Sequence, residues 1–178
     1  VVNFAGALLA GVAPLSVSFD SSASTGSITS WNWDFQNDGT PDSADPNPTF
    51  VYATAGIYSV KLTVSDGTTS HVKTMTGYVL VSPPPPTILG FTPASGEPGS
   101  QVTITGTVLT GATSVTFGGV AGTGILVDSP TQLRVTVPAG ASTGPVVVTT
   151  PGGSTTSGTP FTVIPPSIVT TIVSADAQ

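Results

Sequence analysis

Apolar and polar residues alternate with a period of two along much of this chain, a pattern that fits half-buried strands and not amphipathic helices. Leu15, Val17 and Phe19 alternate with Ser16, Ser18 and Asp20. Trp31, Trp33 and Phe35 alternate with Asn32 and Asp34, and Tyr58, Val60, Leu62 and Val64 with Ser59, Lys61 and Thr63. Further on, Val102 and Ile104, Val115 and Phe117, and Leu133, Val135 and Val137 keep the same period. Val146 to Thr150 and Phe161 to Ile164 are short strand-like runs. Asp66–Gly67, followed by a β-rich run from His71 to Val81, is a hairpin signal. Gly118–Gly119 and Gly152–Gly153 supply turns. No window has a convincing helical period. Strands at spacings of about ten residues, punctuated by Gly and Pro, indicate all-β sandwiches.

The alternation breaks at Pro83–Pro84–Pro85–Pro86. Four prolines fix φ and remove four backbone donors, so neither a strand nor a helix runs through them. They favour a polyproline II spacer of about 12 Å. The expected organisation is a sandwich over residues 1–82, a linker at 83–86, a second sandwich over 87–164 and a tail at 165–178 that opens on Pro165–Pro166. A length of 178 residues accommodates two small domains.

Composition narrows the function. Charged residues are 7% of the chain, against about 25% in an ordinary globular protein. Lys61, Lys73 and Arg134 are the three basic residues, and the net charge is −6. Nucleic acid and anionic membrane surfaces need clustered cations, so neither is a partner. No run of about 20 apolar residues is present, so no membrane insertion is expected. There is no cysteine, which leaves the redox compartment unread. The N-terminal VVNFAGALLAG lacks a charged n-region and does not read as a signal peptide, so a mature or excised chain is expected.

Two stretches resemble known families. GVAPLSVSFDSSASTGSITSWNWDFQNDG and NPTFVYATAGIYSVKLTVSDG, with Trp33–Asp34–Phe35, Asp38–Gly39, Pro48 to Tyr52 and Ala55–Gly56 to Val60 in order, resemble a PKD (polycystic kidney disease) domain. ILGFTPASGEPGSQVTITGTVL, SVTFGG, SPTQLRVTVPAGASTGPVVVTTPGG and a closing FTV resemble an IPT/TIG domain. Both resemblances imply immunoglobulin-like sandwiches, the kind used as spacers or adhesive modules in extracellular and cell-surface proteins and as accessory domains of secreted hydrolases. The chain is therefore expected to be extracellular and non-catalytic. One use is a structural or adhesive role, including a filament subunit built by β-strand addition between copies. The other is a polysaccharide-binding or spacer module, with neighbouring domains of a longer chain as its partners.

The acidic loop is the best candidate site. Counting Asp34 as first, Gln36 is third, Asp38 fifth, Gly39 sixth, Thr40 seventh, Asp42 ninth and Asp45 twelfth, which is the ligand spacing of a calcium loop. Gln at the third position and Asp at the twelfth depart from that pattern. The alternative is turn chemistry, with Asp and Asn side chains accepting backbone hydrogen bonds. If Ca2+ binds the native loop, calcium must raise the thermal midpoint over that in chelator. His71 is the single histidine, and without a G-x-S-x-G or second histidine it reads as an exposed strand residue rather than a base or ligand. Trp31 is the aromatic best placed to be partly exposed for sugar binding. In the tail, Ile168, Val169, Ile172 and Val173 are β-branched, a strand by propensity and the candidate segment for pairing with another molecule.

Overall fold

The alternating stretches pair into sheets, because an extended segment that buries one face must also satisfy its backbone N–H and C=O groups. The computed structural model describes residues 1–166, and the chain divides into two units between Pro84 and Pro85. No helix occurs among the described residues, so none is long and apolar enough to cross a membrane. Pro83 to Pro86 lie in no strand. The tail strand expected around Ile168, Val169, Ile172 and Val173 lies outside the described residues.

In the first unit, strands β1 (Ala5–Ala7), β3 (Leu15–Asp20) and β5 (Thr49–Tyr52) form one sheet in the order β1-β3-β5. Strands β2 (Ala10–Val12), β7 (Ser70–Ser82), β6 (Gly56–Ser65) and β4 (Ser30–Asp34) form the other, in the order β2-β7-β6-β4. The turn at Asp66–Gly67 joins β6 to β7, and Gly67 has φ of 95°. Leu15, Val17 and Phe19 meet Trp33, Phe35, Tyr52, Val60, Leu62, Val64, Val79 and Val81 in a single core. Its aromatic members interlock. Phe19 stacks on Phe35 at 4.7 Å between centroids, Trp33 stacks on Phe35 at 5.6 Å, and Phe4 meets Trp33 edge-on at 5.1 Å. Such pairs add about 1 kcal/mol each beyond the area they bury.

In the second unit, β8 (Thr87–Thr92), β10 (Gln101–Thr107), β14 (Gln132–Thr136) and β13 (Thr123–Ser129) form a sheet in the order β13-β14-β10-β8. Opposite lie β9 (Ser95–Gly96), β11 (Ser114–Phe117), β12 (Val120–Ala121), β15 (Gly144–Thr150) and β16 (Gly153–Val163), in the order β12-β11-β15-β16-β9. This core is largely aliphatic, around Val102, Ile104, Leu133, Val135, Val146 and Val148, with Phe117 against Phe161 at 5.0 Å.

Several strands have no alternating apolar run behind them. The N-terminal FAGALLAG supplies both β1 and β2, and between them the chain changes sheets at Leu8, whose φ is 62°. β1 then pairs antiparallel with β3, and β2 pairs parallel with β7. Small residues with low strand propensity become strands here because their neighbours offer open ladders. β16 likewise begins well before Phe161, as the Ser/Thr-rich Gly153 to Pro160 stretch pairs with β15.

Candidate functional site

The acidic loop begins where β4 ends. Asp34 is buried, and its carboxylate is fully engaged. Oδ1 accepts the Asp38 N–H at 3.0 Å, and Oδ2 accepts the Gly39 N–H at 2.9 Å. Lys61 Nζ, on the neighbouring strand β6, lies 2.9 Å from the same Oδ2. The register that sets Asp34 opposite Lys61 makes this pair. Gly39, with φ of 93°, allows the sharp return that aims its N–H at Asp34. Asp42 Oδ2 accepts the Phe35 N–H at 2.7 Å, and Asp38 Oδ1 accepts the Thr40 N–H at 2.8 Å. Trp33 anchors the far side of the loop. Its Nε1–H donates to the Asp45 carbonyl at 2.8 Å, and its backbone pairs with Asp42 and Ser43.

Of the carboxylates that the spacing places at calcium-ligand positions, Asp34, Asp38 and Asp42 accept the loop's own amides, whereas the Asp45 carboxylate accepts none of them among the described residues. Among the described residues, no three His, Asp or Glu side chains are gathered as a metal would need. Gln36, at the third position, is half-buried, and its Oε1 has no hydrogen-bond partner among the described residues. Thr40 and Asp45 are exposed. These hydrogen bonds hold the turn against the sandwich core.

Electrostatics follows from these contacts. Burial pushes the Asp34 carboxyl up, but Lys61 and the two amides outweigh it and hold it below the ordinary aspartate value of 3.8. Asp66, in the β6–β7 turn, accepts the Thr69 N–H and the Thr68 hydroxyl and N–H, which draw it down to about 2. Burial raises the Tyr52 hydroxyl, helped by the Asp42 charge, so it stays a donor to the Phe35 carbonyl at 3.0 Å. A carboxyl with a folded value below its unfolded one stabilises the fold once ionised. That contribution is present above about pH 4 and is lost as pH falls toward about 2. The first unit is therefore expected to keep its thermal midpoint down to about pH 5 and to lose stability below about pH 4. Tryptophan fluorescence follows this unit alone, because Trp31 and Trp33 are the only tryptophans. A midpoint that stays flat down to about pH 2 would refute the linkage.

The aromatic residues of the first unit pack against its core to different depths. Trp33, Phe35 and Tyr52 are buried, whereas Trp31, Tyr58 and Tyr78 are half-buried against the same core. No aromatic side chain is exposed among the described residues. The indole N–H of Trp31 is buried and has no hydrogen-bond partner among the described residues. His71 is exposed on β7 and shares a small hollow with Ser27, Ser65 and Asp66. No hydrogen bond joins His71 to Asp66 or to a serine among the described residues. The Asp66 carboxylate is already occupied by its turn. In the second unit, a larger open groove is lined by Pro98, Ala139, Ala141, Val163, Pro165 and Pro166, and no titratable group lines it among the described residues.

The contacts that hold this loop were only partly legible. Asp34 and its turn partners stand in one motif, but Lys61 lies 27 positions on, read as 61 minus 34, and only strand register brings it near. An isolated cation within an alternating apolar strand is the one signal that could have pointed to it.

The family comparisons match these two units. The PKD domain family matches residues 5–81, and the IPT/TIG domain family matches residues 86–163. No curated protein sequence matches the chain. Among solved structures, the PKD1 domain from the Vibrio cholerae metalloprotease PrtV is 36% identical, over 42% of this chain and 91% of that one, with a TM-score of 0.31. A putative phosphatase from Bacteroides thetaiotaomicron is 26% identical over 45% of this chain, with a TM-score of 0.41. SGBP-B from a complex xyloglucan utilization locus in Bacteroides uniformis is 16% identical over 90% of this chain, also with a TM-score of 0.41. The chain spans 18% of the length of the phosphatase and 48% of that of SGBP-B.

Proposed function

From a chain that is a PKD domain followed by an IPT/TIG domain, we propose a non-catalytic extracellular module whose work is structural: a spacer that carries or separates other parts of a surface or secreted protein. The observation that carries this reading is the placement of the aromatic side chains. All of those among the described residues are at least half-buried, so the groups that would stack on a sugar ring hold the cores together instead. Among the described residues, the hollow beside His71 has no hydrogen-bonded nucleophile and base, and the groove in the second unit has no acid or base. Neither supports acyl or glycosyl transfer. The outer faces carry Ser and Thr hydroxyls that bond one another, as in Ser18 with Thr49 and Thr149 with Ser154, and they keep such a module soluble with few charges.

Electrophoresis of the full chain through gels containing xyloglucan or mixed-linkage glucan tests the reading. Mobility is expected to match that in plain gels. Retardation that disappears in Trp31→Ala would replace the spacer with a glycan-binding module.

Assembly into filaments by strand addition is the other structural reading, and the described edges give it little purchase. β9 and β12 are two residues long, and β1 and β2 three. At the remaining edges, β5 is four residues long, the pairings of β8 and of the seven-residue β13 are irregular, and Ser43 bridges Trp33 beside β4. Short, bulged or covered edges discourage addition. Electron microscopy of the full chain beside one ending at Pro166 decides the point. Fibres from the full chain alone would assign assembly to the tail.

A further inference from the structure

Lys73 stands on the wrong face of its strand for a solvated cation. It lies opposite Leu62 in the β6–β7 ladder, and directly opposed residues share a face. Leu62 is fully buried, so that face is the interior of the sandwich. The burial pattern agrees: Val72 and Thr74 are exposed, while Lys73 and Met75 between and beyond them are half-buried. The Lys73 ammonium meets a side chain from the start of the unit, with Nζ 2.6 Å from Asn3 Oδ1. The same oxygen accepts the Phe4 N–H at 3.0 Å, which fixes the end of the amide that faces the lysine. Asn3 is itself held, because its N–H donates to Ser24 Oγ at 2.9 Å and the Ser24 hydroxyl returns a bond to the Asn3 carbonyl. Next to it, Phe4 is pinned between Trp33 and Tyr78, at 5.1 and 5.7 Å between centroids.

An amine and a carboxamide held in contact this way have the parts of an amide exchange. We propose that Asn3 and Lys73 are a site of covalent modification, joined by an intramolecular isopeptide bond. Lys73 first gives one ammonium proton to bulk water, and the neutral amine so formed adds to Asn3 Cγ; the ammonia released at the end takes a proton back from water. The carbonyl electron pair moves to Oδ1, where the Phe4 N–H already points and meets the developing charge. A proton passes from Nζ to Nδ2 through water at the half-buried rim. The Cγ–Nδ2 bond then breaks, ammonia leaves, and a Cγ–Nζ amide remains. No oxidant or second reactant is needed, and the fixed geometry supplies the encounter. No carboxylate bonds either side chain among the described residues, so the proton has only water to carry it and the bond accumulates slowly. It would tie the segment before β1 to the last strand of the unit, which are 70 positions apart.

Mass spectrometry of the full chain, fresh and after prolonged incubation below its unfolding midpoint, tests the proposal. A growing fraction is expected to be lighter by about 17 Da, the mass of ammonia. Trypsin can cut only after Lys61, Lys73 and Arg134. In the modified fraction, cleavage after Lys73 is lost and residues 1–61 stay joined to residues 62–134. Lys73→Arg, which keeps the charge, and Asn3→Ala should each abolish the mass loss and the joined fragment. An unchanged mass after several weeks overturns the proposal. So does a mass loss that persists in Lys73→Arg with unjoined fragments, because that is cyclisation of Asn3 onto its own backbone.

Discussion

Trp33→Ala is expected to lower the thermal midpoint of the first unit by about 20 °C. Trp33 is fully buried and touches the aromatic core on several sides, with Phe4, Phe19 and Phe35 all within 5.6 Å between centroids. Truncation loses the transfer free energy of the indole and leaves a cavity that rigid aromatic neighbours cannot close, together about 3–5 kcal/mol. It also frees the Asp45 carbonyl that the indole N–H caps, so the acidic loop loses an anchor as well as its floor. In a domain of this size, each kcal/mol shifts the midpoint by about 4–8 °C. Trp31→Phe is the contrast. That indole is half-buried and its N–H has no partner among the described residues, so the change removes no hydrogen bond seen there and should cost less than about 1 kcal/mol. Calorimetry of the two variants decides. Equal losses would mean that the two tryptophans share the core equally, against the geometry.

Gly106→Ala is expected to destabilise the second unit by about 3 kcal/mol or more. A Cβ at Gly106 would stand 1.9 Å from the Thr87 carbonyl oxygen and 3.0 Å from its carbon. Both are backbone atoms of the edge strand β8, at the point where its register with β10 shifts. A flexible side chain could swing aside, but a paired strand has to move as a whole. Either β8 separates from β10 there, or the pairing from Gly106 to Thr107 is lost. Gly158→Ala provides the control. Nothing lies within 4 Å of a Cβ there, so its effect should stay within about 0.5 kcal/mol. The second unit has neither Trp nor Tyr, so its unfolding is followed by circular dichroism or calorimetry. A neutral Gly106→Ala would show that β8 is not held in this register in solution.

The period-two alternation was enough to place the strands that build the cores, because residues facing an interior must be apolar at every second position. Trp33 and Phe35, Val60 to Val64 and Leu133 to Val137 are buried where that period puts them. The Asp66–Gly67 and Gly118–Gly119 turns were legible for a related reason: positive φ selects glycine. The family resemblance, carried by motifs around Trp33–Asp34–Phe35 and Phe117–Gly118–Gly119, placed both domains in order.

Tertiary structure decided what no local pattern encodes. FAGALLAG becomes two strands in two different sheets only because β3 and β7 have open ladders to receive them. The acidic loop has ligand spacing along the chain, but the amides and the lysine that Asp34 meets are set by the fold, because the chain turns back at Gly39 and β6 places Lys61 opposite Asp34. Lys73 and Asn3, distant in sequence and unremarkable in composition, meet because strand register points the lysine inward. Spacing along a chain fixes which face a residue takes. The partner it finds on that face depends on long-range pairing, and that is set by the whole sandwich.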